Sequence, residues 1–219
     1  MLEIHQLGII PYEEAWALQK ELARRKNEIP DTLLLMQHPH TYTLGSSGKR
    51  EHLVWSEEEC LAKNITVLKV DRGGDITYHG PGQLVGYPIL QLARDSIRAD
   101  VVKYVRDLEE ALMVALASLG IRGERMPGLT GVWVNRGGQL AKIAAIGVKI
   151  TARAITQHGF ALNINTDMDY FKGIIPCGIR DRSVTSLQEI CGTPQDFDEV
   201  TEQVIDAFRQ VFEPVSTDC

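Results

Sequence analysis

The sequence lacks the features that identify several large classes of protein. No run of residues approaches the roughly 18 apolar residues of a membrane-spanning helix. The first residues have neither the positive flank nor the long apolar stretch of a secretory signal peptide. There is no excess of cations either, because 23 Lys and Arg stand against 29 Asp and Glu, a formal net charge of −6. A nucleic-acid footprint is basic, so we expect a cytoplasmic protein that binds neither nucleic acid nor a membrane.

Cysteine is scarce, with four residues in 219: Cys60, Cys177, Cys191 and Cys219. They form no Cys-x-x-Cys pair, and their spacing fits no zinc site. In a reducing compartment all four should be free thiols. We therefore predict no metal site and no disulfide framework.

Linkers and repeats are also missing. No Ser/Gly/Pro-rich stretch, block of like charge or fixed-period repeat divides the chain. With 44% hydrophobic residues the chain can form one sizeable core. We predict a single domain over residues 1–219 and a monomer.

The spacing of apolar residues predicts helices and strands in a definite order. Pro11 suits the first helical position, Ser56 and Glu59 resemble a capping box, and Gly120 is placed to end a helix. Asn135 to Gly138 reads as the turn of a hairpin. The predicted strands are 1–10, 33–36, 65–70, 131–135, 141–150 and 155–163, and the main helices are 12–26, 101–119 and 196–212. This order indicates α+β or mixed α/β, with a mixed β-sheet flanked by helices.

The strongest local signal is the glycine-rich segment 72–83, Arg-Gly-Gly-Asp-Ile-Thr-Tyr-His-Gly-Pro-Gly-Gln. Its four glycines allow the backbone to approach a ligand closely. It is not a phosphate-binding loop of the Walker type, because no Gly-Lys-Ser/Thr follows, and it does not match the dinucleotide fingerprint. The alternative is a tight connection between strands, with His79 as a structural histidine.

Cys177 lies between Pro176 and Gly178, a setting that disfavours the middle of a helix or central strand. A turn here could present the sulfur to a cleft, with backbone N–H groups free to stabilise an oxyanion. The alternative is a buried structural thiol, which is common for free cysteine. Cys60, Cys191 and Cys219 have no such setting.

Lys142 is the lone lysine of the apolar stretch 140–148. Burial disfavours its ammonium form, whereas a neighbouring thiolate would favour it, so a coupled pair is expected. The alternative is a lysine whose stem covers apolar surface while its head reaches water. His158, beside Gly159 at the start of a predicted strand, could be a general base, a pocket wall or a structural residue.

Taken together and in this order, these segments resemble the lipoyl(octanoyl) transferase family over about residues 30–190. The resemblance is carried by Arg72-Gly73-Gly74, Thr77, His79, Pro81-Gly82-Gln83 and Tyr87, then Lys142 with Ala145-Ile146-Gly147, then residues 158–163 (His-Gly-Phe-Ala-Leu-Asn), and last Pro176-Cys177-Gly178.

The resemblance implies a fold similar to the catalytic domain of lipoate and biotin protein ligases. It implies transfer of an octanoyl group from acyl carrier protein, through a cysteine thioester, to a lysine of a lipoyl domain, the first step of endogenous lipoylation. The implied acceptors are the lipoyl domains of 2-oxo acid dehydrogenases and the glycine-cleavage carrier protein. No cofactor is implied, because a thioester arrives activated.

The resemblance also implies roles for individual residues. Cys177 would be the nucleophile, and Lys142 would take a proton from it and later from the incoming lysine. The implied substrate-binding residues are Arg72, Gly73, Gly74, Asp75, Ile76, Thr77, Tyr78, His79, Ala145, Ile146, Gly147, His158, Gly159 and Phe160.

Two other functions compete with this one. An ATP-dependent lipoate or biotin ligase would share the architecture, but a Cys177–Lys142 pair is redundant for adenylate chemistry. A non-catalytic carrier-binding module would keep the glycine-rich pocket and need neither residue.

Acidic partners of an acidic chain require a local basic surface. We predict that at least two basic groups converge around the opening to Cys177. The candidates are Arg24-Arg25-Lys26, Lys49-Arg50, Lys149 with Arg153, and Arg180 with Arg182.

Overall fold

The computed structural model describes residues 1–92, 101–175 and 183–213. The strands are β1 (Glu3–Ile9), β2 (Thr32–Gln37), β3 (Thr41–Leu44), β4 (Thr66–Lys69), β5 (Ile76–His79), β6 (Gln83–Ile89), β7 (Glu124–Met126), β8 (Leu129–Arg136), β9 (Gln139–Ile150) and β10 (Thr156–Asn163). The helices are α1 (Tyr12–Arg24), α2 (Glu57–Ala62), α3 (Val101–Ser118), α4 (Leu187–Cys191) and α5 (Phe197–Phe212), with 3₁₀ turns at Arg50–His52 and Met168–Gly173.

The strands form a large and a small sheet, both mixed. The seven-stranded sheet has the order β1-β2-β6-β10-β9-β8-β7, in which β1 and β2 are parallel and the other neighbours are antiparallel. The three-stranded sheet has the order β4-β3-β5, with β3 parallel to β4. The predicted α+β class, with a mixed sheet flanked by helices, is confirmed, as is the β8–β9 hairpin.

Helices cover the seven-stranded sheet on both faces. Alternate residues of a strand point to opposite faces, so in β2 Leu33 and Leu35 join the core beneath α3 and α5, while Leu34 and Met36 join the core beneath α1. A strand that is buried on both faces reads as a continuous apolar run. This explains why residues 33–36 predict a strand without alternation.

Two predicted signals at helix ends are confirmed, and the structure adds a third cap at the start of α5. Ser56 and Glu59 form the predicted capping box at the start of α2. The chain leaves α3 at Ser118, and Gly120 takes a left-handed conformation with φ +75°, which glycine adopts without steric cost. The Asp196 side chain accepts the N–H groups of residues 198 and 199 and so begins α5.

The prediction for Pro11 is wrong by one position. Pro11 has ψ 139° and precedes the first helical residue, Tyr12, while its carbonyl accepts the N–H of Ala15 at 3.1 Å. Its ring fixes φ and leaves ψ free, so the residue serves equally well as the last extended residue before a helix. Among the helices in the described ranges, none is both long and apolar enough to cross a lipid bilayer.

Candidate active site

A cavity of about 600 Å³ is lined by residues of both sheets and of the loop before β5. This is the size of site that small ligands occupy. Lys142 lines it, together with thirteen of the residues that the sequence predicts for substrate binding: Arg72, Gly73, Gly74, Asp75, Ile76, Thr77, His79, Ala145, Ile146, Gly147, His158, Gly159 and Phe160. The fold therefore brings together segments that are far apart in sequence.

Tyr78 lies outside this lining. Its side chain is fully buried, its hydroxyl is 2.7 Å from Nδ1 of His40, and its ring stacks on Tyr170 with centroids 5.1 Å apart. Strand residues alternate, so Tyr78 points away from the side that carries Thr77 and His79. Its position indicates a role in the packing of the three-stranded sheet.

Lys142 reaches the cavity side because β9 contains a bulge. Val132 of β8 pairs with Ala144 and Trp133 pairs with Lys142, so Ile143 is one extra residue on β9. Ala144 packs in the core beneath α3 and α5, and strict alternation would place Lys142 there too. Because of the extra residue, Lys142 points to the opposite face of the sheet from Ala144, and its side chain lines the cavity.

The start of β8 supports the Lys142 stem. Gly131 has φ +115°, and a Cβ there would lie 2.5 Å from the Ala144 carbonyl oxygen and 3.4 Å from Cε of Lys142. Its N–H donates to Oε1 of Glu109 at 3.0 Å, and this fully buried carboxylate also pairs with Arg125 at 3.1 Å. A buried charge that is paired and hydrogen-bonded in this way fixes the strand beside the lysine.

Cys177, with Pro176 and Gly178, lies outside the described residues. The described residues on either side of it are bound to the cavity wall. The N–H of Ile175 donates to the carbonyl of His52 at 2.8 Å. On the other side, Lys142 donates its N–H to the Ser183 carbonyl and accepts the N–H of Thr185, each at 2.9 Å. Both anchors, His52 and Lys142, line the cavity.

A buried chain of amide hydrogen bonds, here called the amide chain, connects the glycine-rich segment to the anchor at Thr185. Nδ1–H of His79 donates to Oε1 of Gln83 at 2.9 Å, and Nε2 of Gln83 donates to Oδ1 of Asn163 at 2.9 Å. Nδ2 of Asn163 then donates to the Thr185 carbonyl at 3.0 Å. Burial, followed by nearby positive groups, holds the pKa of His79 well below its usual value, so this histidine is a neutral member of the chain.

The loop before β5 is both tightly bound and part of the cavity wall. Arg72 donates through Nη2 to the Thr43 carbonyl at 2.6 Å, and Gly73 donates its N–H to the Val148 carbonyl at 2.9 Å. A Cβ on Gly147 would lie 2.8 Å from the Gly73 carbonyl oxygen. Glycine at position 147 therefore lets the loop pack directly on β9. The two interpretations of this segment, a structural connection and a ligand wall, are compatible.

His158 has both ring nitrogens occupied. Its Nε2–H donates to Oδ1 of Asp71 at 2.8 Å, and its Nδ1 accepts from the hydroxyl of Tyr12 at 3.3 Å. Asp71 also binds Lys149 and the Trp16 indole N–H. Burial lowers the pKa of His158 to about 4 in spite of the neighbouring carboxylate. Of the three roles left open by the sequence, this geometry favours a neutral pocket wall.

Sequence reasoning missed several lining residues, chiefly Tyr12 and His52. Tyr12 is the first residue of α1 and looks like an ordinary apolar helix position. His52 lies in a 3₁₀ turn among charged residues, where no local pattern marks it. Its Nδ1 is 2.5 Å from Oδ2 of Asp75, which also accepts the Ile76 N–H through Oδ1 at 2.7 Å. Within the described ranges, no cluster of His, Cys, Asp and Glu could hold a metal ion.

The basic groups proposed from the sequence lie in different places. Lys49 lines the cavity. Arg153 donates to the carbonyl of Ala23 near the end of α1, and Lys26 pairs with Asp31, away from the lining. Arg180 and Arg182 lie outside the described residues, so the convergence around Cys177 stays a prediction.

Comparisons with known proteins identify the family of this chain. A family model described as the lipoyl protein ligase A/B catalytic domain matches residues 11–209. Curated proteins named octanoyltransferase are similar over almost the whole chain. That of Chloroflexus aurantiacus is 48% identical over 213 residues, covering 96% of this chain and 94% of its own length. That of Christiangramia forsetii is 46% identical over 227 residues, covering 97% and 96%.

Solved structures resemble the fold at low sequence identity. A bipartite lipoate protein ligase from Thermoplasma acidophilum has a TM-score of 0.74 at 18% identity, covering 95% of this chain and 82% of its own. A biotin protein ligase from Aquifex aeolicus has a TM-score of 0.51 at 15% identity, covering 95% and 67%. At these identities the likeness concerns the fold alone.

Proposed function

Since this chain belongs to the lipoyl protein ligase A/B family and is an acyltransferase of the octanoyltransferase group, we propose that it takes its octanoyl group from acyl carrier protein, holds it as a thioester on Cys177 and passes it to a lysine of a lipoyl domain. Lys142 is the proton-transfer partner of Cys177. The general activity, octanoyl transfer in lipoylation, is that of its relatives. The donor, the thioester and the acceptor lysine are the proposal.

The position of Lys142 carries the proposal. A strand bulge turns this lysine to the cavity, and its backbone pairs with Ser183 and Thr185, six and eight positions after Cys177. On the other side, Ile175 is bound to His52 two positions before Cys177. These contacts support a cysteine–lysine pair, because the segment that contains Cys177 starts and ends at the wall of one cavity.

The first half of the reaction is an exchange of thioesters. The Cys177 thiolate attacks the carbonyl carbon of the donor thioester, and the carrier thiolate leaves and takes a proton from the Lys142 ammonium. One thioester replaces another, so the step is nearly balanced, and amide formation drives the sequence on. Apolar lining such as Ile146 suits the alkyl chain, whose burial is worth about 0.8 kcal/mol for each methylene.

The second half forms an amide. The amine of the acceptor lysine attacks the Cys177 thioester, the cysteine thiolate leaves, and Lys142 recovers a proton. The proposed acceptors are the lipoyl domains of 2-oxo acid dehydrogenases and the glycine-cleavage carrier protein. We place the reaction in the cytoplasm, where thiols stay reduced, with the enzyme acting as a monomer of one domain.

The test is the mass of the intact protein after mixing with octanoyl-acyl carrier protein in the absence of ATP. We expect one octanoyl adduct, mapped to Cys177 in peptides. Cys177→Ser should remove it, whereas Cys191→Ser, at an exposed thiol, should keep it. An adduct at Cys60 or Cys191 would contradict the proposal. Exchange of pyrophosphate into ATP would instead indicate the adenylate chemistry of the ligases.

Lys142→Ala should slow both half-reactions and move alkylation of Cys177 to higher pH, because the thiolate loses its cationic partner. Lys69→Ala is the matched control, because Lys69 is exposed at the end of β4, outside the cavity lining. An alkylation profile that is unchanged in Lys142→Ala would refute the pairing.

A further inference from the structure

A second histidine–carboxylate pair lines the cavity, formed by His52 and Asp75. Nδ1 of His52 is 2.5 Å from Oδ2 of Asp75, and the two side chains are 17% and 11% exposed. An ionised carboxylate can only accept a hydrogen bond, so Nδ1 carries the proton and Nε2 is the basic nitrogen. Within the described ranges, no group forms a hydrogen bond with this Nε2.

In the other two histidines of the cavity lining, both ring nitrogens contact other groups of the protein. His158 uses Nε2 for Asp71 and Nδ1 for Tyr12. His79 uses Nδ1 for Gln83, and its Nε2 is 3.4 Å from Oγ1 of Thr43. Of the described lining histidines, His52 alone combines an orienting carboxylate with an uncommitted nitrogen, the arrangement that a general base requires.

The balance of protons in the second half-reaction requires such a base. The acceptor lysine enters as an ammonium, and its nitrogen must lose two protons to become an amide N–H. After acylation Lys142 is neutral and can accept one of them, which restores the thiolate–ammonium pair with Cys177. The second proton needs another acceptor in the cavity.

We propose that His52, oriented by Asp75, is that acceptor. Nε2 of His52 takes one proton from the incoming ammonium and so frees the amine to attack the Cys177 thioester. The carbon–nitrogen bond forms, the carbon–sulfur bond breaks, and the cysteine leaves as the thiolate. Lys142 takes the remaining proton, and His52 passes its own to solvent through its partly exposed side. This inference rests on the proposed function, because it assigns a group to the transfer step.

The two half-reactions can be measured separately. The full chain is acylated with octanoyl-acyl carrier protein, and the adduct is quantified by intact mass. The isolated acyl-enzyme is then mixed with excess recombinant lipoyl domain, and loss of the adduct is followed in a single turnover. Wild type is compared with His52→Gln, whose amide can still donate to Asp75, and with His52→Ala with and without added imidazole. His5→Gln is the matched control, because His5 pairs with Glu3 on the exposed side of β1.

We expect His52→Gln and His52→Ala to slow transfer at least roughly 10²-fold, the usual contribution of a general base, and to slow acyl-enzyme formation far less. Imidazole should restore part of the rate in His52→Ala and leave His52→Gln unchanged. Wild-type transfer rates in His52→Gln, equal slowing of both half-reactions, or no rescue by imidazole would overturn the inference alone. Absence of any adduct in the wild type would overturn the proposed function, and the inference with it.

Discussion

The ammonium nitrogen of Lys142 lies 4.9 Å from the centroid of the Trp133 ring, and the two residues are paired across β8 and β9. The ring is almost fully buried. A cation over an indole face is attracted by the ring quadrupole, an interaction worth about 1 kcal/mol in this setting. Trp133 therefore holds the lysine in a defined place beside the cavity.

Replacing Trp133 by Leu should reduce acyl-enzyme formation by roughly five-fold, the equivalent of about 1 kcal/mol. Trp133→Phe keeps an aromatic face and should retain most of the rate. The rates are measured by intact mass against time, and urea unfolding checks that both variants stay folded. An equal loss in the two variants would assign Trp133 to packing alone.

The close approach of Gly131 to β9 and to the Lys142 side chain can be tested by substitution. Gly131→Ala combines φ +115° with a Cβ placed 2.5 Å from the Ala144 carbonyl oxygen. Gly120→Ala is the matched control, because it has φ +75° and open space around its Cβ. We expect about 1–2 kcal/mol of destabilisation for the control, the cost of a left-handed residue, and a larger loss for Gly131→Ala. Only the latter should also lower activity, and similar effects would argue against a tight contact here.

The protein should lose stability in mild acid because His158 is buried. Burial lowers its pKa from 6.5 to about 4, so the unfolded chain takes up a proton first as the pH falls. The contribution of neutral His158 to the free energy of unfolding is complete above about pH 6.5. It is lost as the pH falls from 6.5 to 4, a change on the order of 3 kcal/mol. Urea unfolding at several pH values should show this slope, and His158→Gln should flatten it.

The control for this slope is His5→Gln, at an exposed histidine, which should retain the wild-type pH dependence.

Asp71 adds a separate effect on stability at lower pH. Burial would raise its pKa, but the hydrogen bonds and charges of Lys149 and His158 outweigh burial and lower it to about 2. Its contribution is therefore present above about pH 4 and is lost as the pH falls toward 2.

Asn163 is the central link of the amide chain. Asn163→Asp preserves shape but replaces the N–H donor by a carboxylate facing the Thr185 carbonyl at 3.0 Å. Loss of a buried donor costs about 1–3 kcal/mol, and the change should also displace the anchor that pairs with Lys142. We expect lower stability together with slower acylation.

Thr201→Val is a suitable comparison for Asn163→Asp. It removes a buried hydrogen bond to the Phe197 carbonyl within α5, on the other side of the sheet. This variant should lose stability without a matching loss of acylation. If the two variants lose activity in the same proportion to stability, the amide chain has no special role in the site.

Six of the ten strands in the described ranges and the three main helices were predictable because their signals are local, whereas β3, β5, β6 and β7 were not predicted. The capping box at Ser56, the glycine turn of the β8–β9 hairpin and the periodicity of α5 depend on neighbours within a few residues. Pro11 was misplaced by one position because its fixed φ suits both sides of a helix boundary.

The site was predictable only in part, because its geometry depends on distant partners. The bulge that turns Lys142 to the cavity is defined by pairing with β8 and leaves no mark in the apolar stretch itself. His52 gains its chemistry from Asp75, 23 positions away. The resemblance names Tyr78 as a substrate-binding residue, yet strand alternation points it away from the cavity. The resemblance could therefore identify the segments but not the direction of each side chain.

The seven-stranded sheet has one face that packs on α3 and α5 and another that packs on α1. Most of the fully buried residues beneath α3 and α5 lie outside the cavity lining, so variants selected at those positions for heat tolerance should keep the substrate preference of the parent. Phe160 connects this core to the cavity: it lines the cavity, while its ring stacks on Phe208 of α5 with centroids 5.2 Å apart. A library designed for thermostability should leave this position fixed, and a library designed for longer acyl chains should include it together with Phe208.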